Sequence, residues 1–524
     1  MKPLIPRFPQ LIHGADYNPE QWLRYPEVLK KDIELLKEAH MNSVSVGIFS
    51  WAHLEPQEGV YDFDWLEEII NNLYANGIYT VLATPSAAKP LWMSEKYEEI
   101  RRVNKAGVRD LSGVRHNHCY TSPYYREKVR QINTKLAERF SKHPGVILWH
   151  VSNEYGGECY CPLCQEAFRE WLKNKYKTLD NLNHAWWTDF WSHTYQDWSQ
   201  VRPPMLNGEM SVHGLNIDWK RFVTHQTVDF CRAEIDAVKK VNPEIPTTAN
   251  LMGFFDGLDY YKFKDVIDVV SWDNYPKWHH GDNVAIAQYS ACSHDLMRGV
   301  MQQNFLVMEN TPSCVNWTPV SKLKKDGVHY LSALQALAHG SNSIQYFQFR
   351  KSRGSFEKMH GAVVDHVGNG DTRVFREITK VGKTLEELSA GLYNTQVKAE
   401  VAVIYDWENR WAVDDSAGPR RGKNLTEDGG AGESGMHYVE TVMKHHRSFW
   451  NEGVNVDVLD MDADFSGYKI VVAPMLYMFR SGIEKKLRSF VENGGTLVST
   501  YSSGIVNDTD LCYLGGWPGE MMDV

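Results

Sequence analysis

Two apolar runs in this chain each end in a glutamate. One is Trp149-His150-Val151-Ser152-Asn153-Glu154 and the other is Phe305-Leu306-Val307-Met308-Glu309-Asn310. A single carboxylate at the end of a strand has an ordinary reading, as a salt-bridge or helix-cap group. Two that face one cavity could do chemistry. Cleavage of a glycosidic bond needs one carboxyl held protonated beside the leaving oxygen and a second held ionised to attack the anomeric carbon. A second cluster, Cys159-Tyr160-Cys161-Pro162-Leu163-Cys164, crowds three thiols into one short stretch. The remaining cysteines, at 119, 231, 292, 314 and 512, stand singly. Without a secretion signal, such crowding points to a metal before a disulfide, and a tetrahedral zinc needs a fourth ligand from elsewhere.

The elements that must position these groups alternate from residue 11 to about 350. Strands are expected at 11–15, 41–48, 78–83, 145–151, 246–251, 266–272, 304–308 and 343–349. Helical stripes lie between them. One carries Val28, Leu29, Ile33, Leu35, Leu36 and Ala39; another carries Leu66, Ile69, Ile70 and Leu73 and stops at Asn76-Gly77. Eight strands with intervening helices predict a closed (β/α)8 TIM barrel. In such a barrel the ends of strands four and seven, bearing Glu154 and Glu309, open onto one mouth. Two long insertions follow strand ends. Residues 103–122 contain Cys119, and residues 155–218 contain the cysteine cluster and Ala185-Trp186-Trp187-Thr188-Asp189-Phe190-Trp191.

The barrel domain is expected to fill residues 1–390. A second, open α/β domain is expected at 398–524, with strands at 399–405, 454–459, 468–472 and 496–500 and helices at 437–450 and 483–492. The Gly-rich stretch 418–435 reads as a loop. That domain shows no phosphate-binding fingerprint and no evident nucleophile.

Charge narrows the partners. Acidic residues outnumber basic ones 66 to 56, a net charge of −10, which disfavours nucleic acid and anionic membranes. No apolar run reaches the roughly 18–20 residues that span a bilayer, and residues 1–14 lack the apolar centre of a signal peptide. The expectation is a cytoplasmic protein.

The order of the motifs resembles that of the retaining barrel glycosidases, and within them glycoside hydrolase family 42, the β-galactosidases. The resemblance rests on Gly14-Ala15-Asp16-Tyr17-Asn18-Pro19-Glu20-Gln21-Trp22, Phe49-Ser50-Trp51-Ala52-His53-Leu54-Glu55-Pro56, Arg115-His116-Asn117-His118-Cys119, Asn153-Glu154-Tyr155-Gly156, Met308-Glu309-Asn310-Thr311-Pro312-Ser313 and Glu357-Lys358-Met359-His360. It spans the whole barrel. It implies Glu154 as general acid/base and Glu309 as nucleophile. It also implies that Arg115, Asn153, Trp317 and the segment Glu357, Lys358, Met359 and His360 bind a terminal galactose, with Trp191 a weaker candidate. Tyr275 resembles the tyrosine that supports the nucleophile; a turn tyrosine before Pro276 fits the sequence equally. Cys119 would complete a structural, non-catalytic Zn2+ site with Cys159, Cys161 and Cys164.

The second domain resembles the amidotransferase-like domain used for trimer contacts, which implies a homotrimer. Relatives carry a further small β domain that this sequence, ending at Val524, does not reach. Trp187 departs from the family, which often has Gly there. Three functions remain open: a retaining β-galactosidase, the same chemistry on β-D-fucosides or α-L-arabinopyranosides, and a carbohydrate-binding scaffold without turnover.

Overall fold

In a computed structural model of the chain, the described residues are 3–276, 278, 282–393, 395–416 and 437–522. The expected loop at 418–435 lies outside them. Eight parallel strands close into a barrel in chain order: β1 (Ile12–Asp16), β2 (Ser43–Val46), β3 (Tyr79–Ala83), β4 (Val146–His150), β5 (Thr247–Leu251), β6 (Val269–Asn274), β7 (Phe305–Asn310) and β8 (Ser341–Tyr346). The ladder is closed by β1 pairing with β8, Ile12 opposite Ser343. All strand residues except Tyr79 are buried, because helices cover the barrel outside and side chains fill it inside. Ile5 and Phe8 plug one end, packing with Ile12, Val81, Ile147, Leu148, Val269, Leu306 and Met308.

The covering helices form where the sequence stripes lie. Helix Pro26–Glu38 starts with proline in its first turn and buries Leu35 and Leu36. Helix Asp64–Ala75 buries Leu66, Ile69, Ile70 and Leu73. Strand β8 begins two residues before the expected position. Ser341 and Asn342 were hidden by their polarity, yet both are buried and bonded: Ser341 Oγ donates to Ser343 O at 2.7 Å and Asn304 Nδ2 donates to Asn342 Oδ1 at 3.0 Å. Strand β6 starts at Val269 rather than 266, because Val266 and Ile267 still hydrogen-bond back to Phe263.

A second, four-stranded parallel sheet follows, with spatial order β10-β9-β11-β12: β9 (Val401–Ile404), β10 (Val456–Leu459), β11 (Ile470–Ala473) and β12 (Thr496–Ser499). Helices Tyr438–Asn451 and Ile483–Glu492 match expectation closely. Helix Trp407–Asp415 was not anticipated, and it docks the sheet onto the barrel. Trp407 Nε1 donates to Phe255 O and Trp411 Nε1 to Asp256 O, each at 2.7 Å. Close by, Arg298 Nε donates to Asp457 Oδ1 at 2.9 Å. A Cβ at Gly299 would meet Val458 O at 1.9 Å, so only glycine allows this approach of helix Asn283–Met301 to β10. None of the described helices is long and apolar enough to cross a membrane.

Candidate active site

Strands β4 to β7 bring four side chains to one point at the barrel mouth. Glu309 is the penultimate residue of β7 and is 5% exposed. Glu154 lies four residues past β4, where the chain turns through positive φ at Ser152 and Glu154 (58° and 45°). Two bonds fix that turn: Ser152 N donates to Thr84 Oγ1 at 2.7 Å, and Glu154 N donates to Asn250 Oδ1 at 2.9 Å. Carboxylate oxygens of Glu154, Asp273 and Glu309 lie within 4.8 Å of one another.

The two glutamates differ in their partners. Glu309 Oε2 accepts from the Tyr275 hydroxyl at 2.7 Å, and Oε1 accepts from Asn250 Nδ2 at 3.2 Å. Arg115 Nη2 bonds to Glu154 Oε2. Asn153 is 1% exposed. With its amide turned to satisfy both ends, it donates to Glu309 Oε1 at 3.3 Å and accepts from Arg115 Nη1 at 2.7 Å. Burial first, and then the neighbouring Glu154, push the Glu309 carboxyl up to about 8, while Tyr275 and Arg115 hold it down. Two carboxyls this close resist being ionised together.

A cavity of about 910 Å³ opens over the pair. Its walls include Arg115, Glu154, Asp273, Tyr275, Glu309, Trp317 and Glu357, together with Phe49, Val114 and Phe356. Trp317 packs edge-on to Tyr275 at 5.6 Å. His360 is 1% exposed and lies behind the wall, edge-on to Tyr275 at 5.9 Å and to Phe347 at 5.2 Å. Burial lowers its ring pKa to about 4, which keeps the imidazole neutral. Lys358 and Met359 are exposed and do not line the cavity. Trp191 is also outside it: its ring is 71% exposed and stacks on Phe190 at 4.8 Å.

The structure adds residues that the sequence reading passed over. Asn250, at the fourth position of β5, joins the Glu154 backbone to Glu309 and also donates to Asp273 Oδ2 at 2.7 Å. A polar residue near the C-terminal end of a barrel strand was the available signal. Asp273 stands opposite Glu309 in the ladder, re-aimed by a register shift after Trp272. Burial, Glu309 and Glu154 raise its carboxyl well above the usual range. Asp16, ending β1, is likewise raised by burial, Glu309 and Glu154, and its carboxyl oxygens have no hydrogen-bond partner among the described residues.

The two insertions meet beside this site. Cys119, Cys159, Cys161 and Cys164 are all buried, with their sulfurs within 4.8 Å of one another. Cys119 Sγ lies 3.4 Å from Cys164 Sγ and 3.7 Å from Cys161 Sγ. These separations are far beyond a disulfide bond, and the four thiols form a cluster able to hold a metal ion. Arg102 ties the same loops by donating to His118 O at 2.8 Å and Gly156 O at 2.5 Å.

The family model described as beta-galactosidase, glycoside hydrolase family 42, matches residues 16–388. The chain belongs to glycoside hydrolase family 42. A second model, the beta-galactosidase trimerisation domain, matches residues 399–524. The chain is 59% identical over 523 residues to the β-galactosidase BglY of Alicyclobacillus acidocaldarius, covering 100% of this chain and 74% of that protein. It is 49% identical over 523 residues to the β-galactosidase GanA of Bacillus subtilis, covering 98% and 76%. The crystal structure of the cold-adapted β-galactosidase from Rahnella sp. R3 superposes with a TM-score of 0.95 at 54% identity, covering 99% of this chain and 75% of that one. The chain is therefore a glycoside hydrolase built on a TIM barrel with a second, smaller sheet domain.

Proposed function

We propose that this family 42 enzyme releases terminal β-D-galactose with retention of configuration, with Glu309 as nucleophile and Glu154 as general acid/base. One observation carries the reading. Carboxylate oxygens of the pair lie within 4.8 Å of each other across a cavity, in keeping with the short carboxyl separation of roughly 5–5.5 Å in retaining enzymes. Tyr275 and Asn250 both donate to Glu309, which favours its ionised, attacking form, and Glu154 faces it across the cavity as the proton donor.

In the first step an oxygen of Glu309 bonds to the anomeric carbon as the bond to the leaving oxygen breaks. Glu154 passes its proton to that oxygen. In the second step Glu154 takes a proton from water, whose oxygen bonds to the anomeric carbon as the ester to Glu309 breaks. Arg115 sits on Glu154 in the free site, so the incoming sugar must draw the guanidinium onto its hydroxyls before the proton can be used. Asn153, beside Glu309, would serve the 2-hydroxyl, and Glu357, in the cavity wall, hydroxyls at the far side of the ring. Trp317 offers a face for the sugar, and His360 backs the wall.

The four thiols fit zinc. A tetrahedral shell with metal–sulfur bonds of about 2.3 Å sets sulfurs about 3.8 Å apart, near the separations found among Cys119, Cys161 and Cys164. Four protein ligands leave no position for water, so the ion would clamp two loops and take no part in turnover. The second domain would hold a trimer together, and the domains would divide between residues 390 and 398.

The test is hydrolysis of a chromogenic β-galactoside by wild type and by Glu309→Gly, with and without azide, following anomeric configuration by NMR. Retention in wild type, near-loss in the variant and an azide-rescued α-galactosyl product are expected. An inverted first product, or an active variant, would overturn the assignment.

A further inference from the structure

The cavity is several times larger than one hexose, and its walls divide by chemistry. At the floor lie Glu154, Glu309, Asp273 and Arg115; at the mouth lie Val114 and Phe356. These two apolar side chains stand open to solvent, at 92% and 75% exposed, on loops from different parts of the barrel. Both line the same cavity as the catalytic pair.

Val114 is located on the leaving-group side by its neighbour in the chain. Val114 precedes Arg115, whose guanidinium touches Glu154. The leaving oxygen must sit against Glu154 to receive its proton, so whatever is attached to that oxygen passes Val114. Phe356, on the loop after β8, lines the same cavity mouth as Val114 and so faces the same passage.

Val114 is also held at φ 56°, between Gly113 at 115° and His116 at 60°. A β-branched residue rarely adopts this region, and such strain is retained where surrounding structure requires it. Exposure and strain together are what a binding wall shows before its ligand arrives.

Resting on the assignment of Glu154 as acid, we propose that Val114 and Phe356 form a leaving-group subsite. It grips the ring joined to the galactose through a flat apolar face, whether an aryl group or the C–H face of a second pyranose. Neither side chain offers a hydrogen bond, so the subsite selects for a ring face and accepts different linkage positions.

The experiment compares wild type with Val114→Asn, which tolerates the left-handed backbone, with Phe356→Ala and with Phe356→Leu. Three quantities are read: kcat/KM for p-nitrophenyl β-D-galactoside and for lactose, Ki for free galactose, and the fraction of galactosyl-enzyme captured by added glucose. Capture joins a glucose hydroxyl oxygen to the anomeric carbon as the Glu309 ester breaks, with the hydroxyl proton going to Glu154.

Val114→Asn and Phe356→Ala are expected to lower kcat/KM about tenfold, as loss of one partly buried apolar contact predicts. Capture by glucose falls with it, Phe356→Leu recovers most of the loss, and the galactose Ki stays within about twofold. A loss confined to the aryl substrate, or to lactose, assigns the subsite to that ring alone. Unchanged kcat/KM for both substrates, or a galactose Ki that rises in step, overturns the subsite. Absence of turnover in wild type overturns instead the assignment on which it rests.

Discussion

Tyr275→Phe isolates one hydrogen bond of the site. The phenol donates to Glu309 Oε2 at 2.7 Å, and phenylalanine keeps the ring against Trp317 and His360. A hydrogen bond to a charged group contributes about 1.5–3 kcal/mol. That energy favours the ionised form of Glu309. Its loss lowers the population of the reactive form, and kcat/KM on the plateau should fall about 10–150-fold. The sign of the pH effect follows. The donor holds the Glu309 carboxyl down against burial and Glu154, so without it protonation of Glu309 becomes easier. The acid limb of kcat/KM should move to higher pH by roughly 1–2 units. The assay is kcat/KM for an aryl β-galactoside across pH, with circular dichroism to show an intact fold. A variant within about twofold of wild type at every pH, or one whose acid limb moves lower, would refute the reasoning.

Other outcomes follow from the same contacts. Asn250→Ala removes the amide that donates to Glu309 and Asp273, yet Asn250 does not line the cavity; kcat should fall about a hundredfold with KM little changed, and a raised KM at normal kcat would contradict this. Cys119→Ser should abolish zinc retention measured by elemental analysis and lower the thermal midpoint; zinc-free wild type purified in the presence of zinc would count against the site. Asp295→Ala removes a carboxylate that accepts from Arg298 at 2.6 Å and from His339 and His446 at 2.7 Å, where the second domain meets the barrel. Unfolding should become easier by about 3–5 kcal/mol. Burial pushes the Asp295 carboxyl up, but Arg298 and His339 hold it well below the usual range. The cost should therefore be complete above roughly pH 4, the unfolded value, and shrink as pH falls below it. A denaturation midpoint equal to wild type at pH 7 would refute this.

The barrel was legible because each strand is a compact β-rich run and each covering helix has a stripe, as in Leu66, Ile69, Ile70 and Leu73. Glu154 and Glu309 stood out because each ends such a run. Helix Trp407–Asp415 escaped because its buried face carries Trp407, Glu408, Asn409 and Trp411, so polarity there serves docking and not exposure. Asn250 escaped for a related reason. Its value lies in bonds to strands β4, β6 and β7, and no local pattern records a contact across 59 residues of chain. Trp191 fits sugar stacking by type, as an aromatic residue in a loop, and stands outside the cavity of its own chain.

The charge balance of the cavity explains why Arg115 is more than a sugar ligand. Glu154, Asp273, Glu309 and Glu357 line the cavity and Asp16 lies close behind, whereas Arg115 is the one cation among the described residues lining it. So many carboxyls with one guanidinium cannot all be ionised. Burial raises the carboxyls of Asp16, Asp273 and Glu309, so protons gather on these three. In the free site Arg115 favours a charged Glu154, and Tyr275 and Asn250 favour a charged Glu309. A displacement of Arg115 therefore shifts the balance of charge between the two glutamates. On the roles proposed above, sugar hydroxyls that engage the guanidinium would remove its hold on Glu154, so that binding would prepare acid and nucleophile in one movement. An Arg115→Lys variant, whose compact ammonium cannot bridge Asn153 and Glu154 in the same plane, should lose more in kcat than in KM.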